Sequence, residues 1–372
     1  MKRVVHLSSV HTHDDVRIVH KQCLSLRDAG YEMYYVVSSS QPDQEYQGVR
    51  LVKVVPAKRR WQRFLSTTIR VYIAARRTPA RLYHFHDPEL IPVGLMLKRK
   101  GAKVIYDVHE DLPKQIMTKD WIPSFARRTV ARWVARLEQK AAKELDAIVA
   151  ATPAIAQRFP ASKVVVVQNF PRRDEFCTPG RLPFSERPKN IAYVGGLTQI
   201  RGAREMVMAM SHLPEMADAL LLVAGRIYPP ELEKELAMLS GWERVRLLGW
   251  CERPQVAQLL GQSRAGIVVF HPVPNHMEAQ PNKLFEYMAA GLPVIASNFP
   301  LWSELVGGAS CGVLVDPKNP HAIAEAIRWV LSHPLEAEQM GQRGMCLVRE
   351  RYNWEHEFSK LLSLYRDLIG TP

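Results

Sequence analysis

Pro281 and Glu286 are the residues whose types and spacing say most about chemistry. They lie in Glu278-Ala279-Gln280-Pro281-Asn282-Lys283-Leu284-Phe285-Glu286, which continues to Gly291 and the apolar run Leu292-Pro293-Val294-Ile295. Proline in the first turn of a helix gives up no useful hydrogen bond. The free N–H groups beside it, with the positive end of the helix dipole, suit a diphosphate. Glu286, one turn further in, could accept hydrogen bonds from two neighbouring sugar hydroxyls. The same spacing also describes an ordinary amphipathic helix stopped by Gly291 and packed on a buried strand, and this stretch alone does not separate the two.

A second phosphate candidate is Gly195-Gly196-Leu197-Thr198-Gln199-Ile200-Arg201-Gly202, between an apolar run and a helical period. Glycines at such a turn let the backbone approach a ligand closely. The run is not GxGxxG, and no acidic residue follows at the distance a dinucleotide site needs, so NAD is disfavoured. No Asp-x-Asp pair, a common way of holding a metal, occurs. In the other half, His84-Phe85-His86-Asp87-Pro88-Glu89-Leu90 and Tyr106-Asp107-Val108-His109-Glu110-Asp111 each close an apolar run. The carboxyl ends of parallel strands are where α/β folds place ligands. His11, His13, His84 and His86 could instead serve zinc in a metal-dependent hydrolase, since alternate residues on a strand face one way; acidic ligands at metal spacing are not evident.

The elements that must position these groups alternate from end to end. Short β-branched runs are read as strands near 3–7, 33–38, 50–54, 82–86, 103–108, 146–150 and 163–168, with helical periods between them. A second series is read near 190–194, 219–224, 245–248, 265–270, 293–296 and 312–315. This is the pattern of doubly wound α/β domains. The expected division is 1–168 as one parallel-sheet domain, 169–188 as a proline-rich linker, and 189–352 as a second such domain. A closing helix occupies 353–372.

The 372 residues, 47% of them apolar, are enough for two cores. The five cysteines are scattered without CxxC spacing, as reduced thiols would be. No apolar run of about twenty residues occurs. The start, MKRVVHLSSVHTHDD, lacks the apolar core of a signal peptide, so a cytoplasmic location is expected. Charge is divided unevenly: residues 1–168 carry 29 Lys and Arg against 15 Asp and Glu, and the remaining 204 carry 21 against 22. The first half therefore meets something anionic. Its surplus concentrates in two stretches. Lys58–Arg77 sets Trp61, Phe64, Leu65, Ile69 and Tyr72 on one helical face and Arg59, Arg63, Arg70 and Arg77 opposite. Trp121–Lys143 carries Arg127, Arg128, Arg132, Arg136, Lys140 and Lys143 with Glu138 as its one acidic residue. The apolar faces are expected to pack on the sheet, leaving the basic faces for anionic lipid.

Taken together, these motifs resemble the retaining, GT-B-fold glycosyltransferases of family 4, over nearly the whole chain. The resemblance implies two Rossmann-like domains facing each other across a cleft, with the closing helix crossing back to the N-terminal domain. It implies a nucleotide sugar, UDP- or GDP-linked, held by the C-terminal domain, and neither metal nor other cofactor. Glu278 and Glu286 match the family's Glu-x7-Glu pair, Glu278 near the reacting sugar and Glu286 in the donor grip with Asn282, Lys283 and Leu284. In the glycine loop, Arg201 stands where the family has a phosphate-binding Lys, while Gly196 replaces its usual Arg. Lys283 or Arg226 could supply the missing charge beside Gly195. His109 matches the histidine beside the reacting sugar. Ser9, His11, Asp15 and Arg17 replace the family's Gly-Gly loop as candidates for acceptor or phosphate contact, with His86 and Asp87 beside them.

The implied reaction moves a sugar to a lipid-linked or saccharide acceptor in cell-surface polysaccharide assembly, at the inner face of the plasma membrane, with no nucleic acid involved. A nucleotide-sugar epimerase of the same architecture would bind the same donor. A nonenzymatic binding module for nucleic acid or membrane would not need the donor motifs.

Overall fold

Runs rich in valine and isoleucine pair side by side in parallel, and the central strands of each sheet are buried on both faces. The computed structural model describes residues 2–39, 44–56, 66–119, 121–176 and 182–372. Contacts divide the chain into two units, Met1–Asn169 with Trp354–Pro372, and Phe170–Asn353.

The first unit holds β1 (Arg3–Leu7), β2 (Glu32–Ser38), β3 (Gln44–Tyr46), β4 (Val49–Val54), β5 (Leu82–Phe85), β6 (Lys103–Val108), β7 (Ala147–Ala150) and β8 (Val164–Val166). They lie in the order β3-β4-β2-β1-β5-β6-β7-β8. Only β3 runs antiparallel to its neighbour, and its three half-exposed polar residues carry no apolar run that would announce a strand. The order reverses direction at β1, beside β5, the crevice where such sheets bind ligands. The second unit holds β9 (Asn190–Val194), β10 (Leu220–Ala224), β11 (Val245–Gly249), β12 (Ala265–Val268), β13 (Val294–Ser297) and β14 (Gly312–Val315), ordered β11-β10-β9-β12-β13-β14. Its reversal falls at β9 and β12.

The closing helix, Trp354–Ile369, belongs to the first unit. Trp354, Leu361 and Tyr365 are buried there, Trp354 Nε1 donates to Ser25 Oγ at 2.9 Å, and Glu357 accepts from the Gln168 amide at 2.9 Å.

The stretch 169–188 is not a loose tether where it is described. Phe170, Phe176 and Phe184 are buried in the second unit, Phe170 with its ring 4.6 Å from that of Phe285. Arg187 Nη1 donates to the Ser263 carbonyl at 3.2 Å. The proline-rich composition hid three aromatic anchors; residues 177–181, with Cys177, lie outside the described residues.

The basic stretches also differ from expectation. Trp61, Phe64, Leu65, Arg59 and Arg63 lie outside the described residues. In the helix Thr68–Arg77 the buried face is Thr68, Val71, Ala74 and Ala75, while Ile69 is exposed, so the expected apolar face is rotated. In Ser124–Glu144 the buried face is Ala131, Glu138, Ala141 and Ala142. Trp121, Phe125 and Trp133 are 66%, 87% and 64% exposed. Phe125, Thr129, Trp133 and Leu137 form one exposed i, i+4 row, and Arg128, Arg132, Arg136 and Lys140 the next. Small alanines meet the protein and the large aromatics face outward, the reverse of the expected packing. No helix among the described residues is long and apolar enough to cross a membrane.

Candidate functional site

In the second unit, β9 delivers Gly195 and Gly196 to the reversal point. Gly195 has φ +103° and its neighbour loop contributes Gly225, where an added Cβ would stand 2.2 Å from the Gly195 carbonyl oxygen. Only glycine allows that approach. Around this loop three side chains converge. Tyr193 donates its hydroxyl to the Gly196 carbonyl at 3.0 Å, Arg201 Nη1 donates to the same oxygen at 2.7 Å, and Lys283 Nζ donates to the Tyr193 hydroxyl at 3.0 Å. Lys283 Nζ lies 4.1 Å from the centre of the Tyr193 ring and 3.4 Å from where a Cβ on Gly195 would be. Lys283 thus brings its amine to the glycine loop. Burial, and then the neighbouring Arg201, pull its ammonium pKa well below the ordinary value.

Lys283 can reach this loop because it opens the helix Asn282–Ala289, capped by Pro281. Tyr287, one turn on, pins the helix by accepting the Val194 amide on its hydroxyl at 2.9 Å. Glu286 follows on the same helix, buried, with Oε1 accepting from Arg253 Nη1 at 2.9 Å. Arg253 Nε also donates to Glu175 Oε1 at 2.7 Å. Burial opposes the charge on Arg253, but Glu286 and Glu175 together raise its pKa above the ordinary arginine value. The arrangement offers an anion two cations, the Asn282 and Lys283 amides at a helix start, and a carboxylate one turn away.

The remaining candidates Leu284, Glu278 and Arg226 differ in exposure. Leu284 is fully buried core and its amide donates to the Pro281 carbonyl at 3.1 Å. Glu278 is exposed in the loop after the short helix Pro274–Met277, apart from the helix of Glu286. The Arg226 side chain is exposed, while its carbonyl accepts the Leu197 amide at 2.9 Å. Tyr193 and Arg253 were not foreseen: a tyrosine inside an apolar strand and an arginine at a helix start carry no local signal.

In the first unit, strand alternation and register assemble a polar face. His84 and His86 lie two apart on β5 and its continuation, His6 on β1 is the register partner of His84, and Ile105, two before Asp107, is its partner on β6. Asp107 is the anchor. Arg17 Nη2 donates to Oδ1 at 2.7 Å, while Arg17 Nε at 3.1 Å and Gln22 Nε2 at 2.7 Å donate to Oδ2. His86 Nδ1 and His109 Nε2 each lie 3.3 Å from the same Oδ2. Burial would raise the Asp107 pKa, but Arg17 and His109 hold it well below the carboxylate range.

Asp87, at the end of β5, accepts on Oδ2 from Ser8 Oγ at 2.7 Å and from the Ser9 amide at 2.6 Å, with Ser9 Oγ at 3.2 Å. Asp15 caps the helical segment Val16–Cys23, accepting from the Arg17 and Ile18 amides, and His11 Nδ1 lies 2.9 Å from its Oδ2. Burial would lower the His11 pKa; the Asp15 hydrogen bond and Asp87 raise it to about 8.

The acceptor candidates therefore separate. His11 and His109 are partly exposed and their ring centres are 4.9 Å apart, a pair that can meet a ligand. Ser9 and Asp87 are buried and bonded to each other, Arg17 and His86 are buried against Asp107, and Asp15 caps its helical segment.

The proposed zinc quartet is not assembled: His84 and His86 join His6, and His11 pairs with Asp15. Among the described residues, two triads have ligand-like spacing, His6/His84/His86 and His86/Asp107/His109. The imidazole planes of His86 lie within 26° and 23° of those of His6 and His84 at 5.0 and 4.9 Å, so one ion could not lie in all three planes. Both Asp107 oxygens already accept from Arg17, and Oδ2 also from Gln22. Hydrogen bonding explains both groups better than a metal.

Comparison with known proteins agrees with the geometry. The family model described as Glycosyltransferase Family 4 matches residues 16–170, and that described as Glycosyl transferases group 1 matches residues 174–345. The chain is 30% identical over 193 residues to a D-inositol 3-phosphate glycosyltransferase of Corynebacterium urealyticum, covering 50% of this chain and 44% of that protein. It is 20% identical over 301 residues to an MMP α-(1→4)-mannosyltransferase of Mycolicibacterium hassiacum, covering 77% and 70%. The chain spans about half the length of most of the curated relatives it matches. Among solved structures it is similar to a sucrose-phosphate synthase of Thermosynechococcus elongatus, with a TM-score of 0.77 and 18% identity over 100% of both chains. It is similar to the Anabaena protein HepE in complex with UDP-glucose, with a TM-score of 0.74 and 13% identity over 99% and 100%. At those identities the structures show the fold alone, which is GT-B.

Proposed function

The chain belongs to the family 4 glycosyltransferases, and on that premise we propose that it transfers a sugar, with retention, from a nucleotide diphosphate sugar to a lipid-linked saccharide of the cell surface. The observation that carries this reading is the convergence of Arg201, Lys283 and Tyr193 on the Gly195-Gly196 loop, with Glu286 on the helix that Lys283 opens. Arg201, Lys283 and the helix start would receive the diphosphate, and Glu286 the ribose hydroxyls. Fixed positive groups act most where charge develops, and here it develops on the departing diphosphate.

In the proposed step the acceptor hydroxyl oxygen bonds to the anomeric carbon on the face from which the phosphate leaves. The carbon–phosphate-oxygen bond breaks, and the departing phosphate oxygen takes the hydroxyl proton. His109 orients the reacting groups by hydrogen bonding and is not the base. The chemistry requires no metal.

The acceptor class is supported by the first half's charge and by the exposed rows of Ser124–Glu144, where aromatic rings lie beside arginines. Rings suit the headgroup level of a bilayer and arginines its anionic surface. The proposed location is the inner face of the plasma membrane, held peripherally. The test is incubation of the purified protein with radiolabelled UDP- and GDP-sugars and a membrane lipid extract. Label passing into the organic phase supports the reading; neither transfer nor donor hydrolysis with any common donor would overturn it.

A further inference from the structure

The amino ends of β5 and β6 border a cavity of about 640 Å³ that the site around His109 does not use. Arg81 precedes β5 and Lys103 opens β6, whereas His86 and His109 follow the carboxyl ends of the same two strands. The cavity therefore lies at the other end of the sheet from the His11 and His109 pair. Its volume falls among those of small-molecule sites, roughly 300–1,000 Å³. One wall is the end of the closing helix, with Leu368 and Ile369. That helix is fixed to the sheet, because the Tyr365 hydroxyl lies 3.0 Å from His6 Nε2 and 2.8 Å from His84 Nδ1.

Four cations line the cavity, Arg76, Arg81, Lys100 and Lys103, and no acidic residue does. Lys103 is occupied: its Nζ lies 3.2 Å from Asp146 Oδ1, which Lys98 also holds at 2.7 Å. The side chains of Arg76, Arg81 and Lys100 make no hydrogen bond or ion pair among the described residues. Cations near a helix end ordinarily offset its negative dipole. That reason applies to Arg76, in the last turn of Thr68–Arg77, and to Lys100, just past the helix Ile91–Arg99. Yet carbonyls at both helix ends already have partners. The Thr78 amide donates to Ala74 and Ala75 at 3.1 Å, and the Tyr83 hydroxyl to Ala75 at 3.2 Å. The Lys100 and Ala102 amides donate to Leu97 at 3.1 and 3.3 Å, and the Gly101 amide to Lys98 at 2.9 Å. Arg81 belongs to no helix at all. Three cations thus border one space without a counter-charge on the protein, and their summed field favours an anion there. Beside Gly101 the space is open, since a Cβ there would meet nothing within 4 Å.

We infer that this cavity is a second ligand site, for a phosphate ester whose oxygens Arg76, Arg81 and Lys100 receive. A guanidinium matches two phosphate oxygens at once, and an ammonium serves as a point charge beside it. Leu97, Leu368 and Ile369 add an apolar wall, so the ester could come from a lipid headgroup as well as from a free metabolite. The site belongs to the first unit alone and would bind its ligand whether or not the chain transfers a sugar.

Inorganic pyrophosphate is the first probe, titrated by calorimetry into the full chain carrying Arg201→Gln and Lys283→Met, which removes the cations of the second unit's glycine loop. One site per chain is expected. Adding Arg81→Gln and Lys100→Gln should weaken it at least about tenfold, through the loss of two charge-assisted contacts. Adding Arg128→Gln and Arg132→Gln instead takes the same charge from the outward row of Ser124–Glu144 and should leave the affinity unchanged. Absence of binding before the cavity is altered overturns the site. So does equal weakening by the two pairs, because bulk charge would then account for the binding. Two further probes identify the source. Dihexanoyl phosphatidic acid binding more tightly than glycerol 3-phosphate, with the difference lost in Leu368→Ser, assigns a lipid headgroup; equal affinity assigns a free ester. Comparison with the unaltered chain, which should bind pyrophosphate at one site more, tests the glycine loop separately, so either site can fail without the other.

Discussion

Arg253 donates to Glu286 at 2.9 Å while its Nε holds Glu175 at 2.7 Å, so the carboxylate assigned to the ribose is already oriented by a bridging guanidinium. Glu286 Oε1 takes that bond, and on the proposed reading the rest of the carboxylate's accepting capacity goes to the ribose hydroxyls. Removing the carboxylate removes charge-assisted hydrogen bonds of about 1.5–3 kcal/mol. Glu286→Ala should therefore weaken nucleotide-sugar binding by about 10- to 100-fold. Titration calorimetry with UDP- and GDP-sugars checks this, and full affinity in the variant would remove Glu286 from the site. Arg253→Ala should do double damage, lowering donor affinity and removing the guanidinium that bridges Glu286 and Glu175. A loss of about 1–3 kcal/mol in urea unfolding is expected.

Lys283 gives a prediction about protons. Its pKa is lowered by burial and by Arg201, so the amine sheds its proton at a lower pH than an exposed lysine does. A diphosphate beside it favours the charged form again. Donor binding should take up a proton in the window between the lowered value and that of the complex, and affinity should decline as pH rises through it. Calorimetry in two buffers of different ionisation enthalpy measures the uptake, and in Lys283→Met the buffer dependence should vanish. The sign for folding is opposite in sense. The unfolded chain binds this proton where the folded one does not, so the lysine costs stability below its unfolded pKa. Lys283→Met should thus lose activity and gain melting temperature.

Much of this was legible from local pattern, and what was not depends on strand order. The helix that presents Lys283 and Glu286 announces itself by proline, period and glycine, and the strands by their β-branched runs. His6, Asp107 and Tyr365 could not be joined that way. They meet because β5 lies between β1 and β6 and because the last helix returns to the first unit, facts that no sequence window contains. Arg17 was expected at a ligand because it follows a strand-end loop. Its guanidinium instead fills the charge requirement of a buried aspartate, a demand visible only once Asp107 is known to be fully buried.

His11 sets a pH dependence for the first unit. Its folded pKa, about 8, lies above the ordinary imidazole value of 6.5 because Asp15 and Asp87 outweigh burial. A raised histidine stabilises fully below its unfolded pKa, and that stability is lost as pH rises through the folded one. The difference corresponds to about 2 kcal/mol, lost between about pH 6.5 and 8. Denaturant midpoints across that range should fall for the wild type and stay flatter for His11→Gln. Equal slopes would show that the Asp15 contact contributes nothing.

The outward rows of Ser124–Glu144 predict how the protein meets a bilayer. Had the helix been an ordinary surface element, its aromatics would pack inward, but Ala131, Ala141 and Ala142 occupy that face and Phe125 and Trp133 are left outside. The arginine row alone would give binding that disappears with salt. Rings that enter the headgroup region add a component that salt does not screen. Vesicles containing anionic lipid should therefore bind the protein at low salt and retain part of it at high salt. Phe125→Ser with Trp133→Ser should abolish the salt-resistant part and leave the rest. Replacing Arg128, Arg132 and Arg136 by Gln should do the reverse, weakening capture by about 1 kcal/mol for each charge near the surface. Both variants should hydrolyse donor at the wild-type rate, because the rows belong to the first unit and Lys283 and Glu286 to the second. Wild-type sedimentation with anionic vesicles in the aromatic double variant at high salt would show that these rings face water for some other reason.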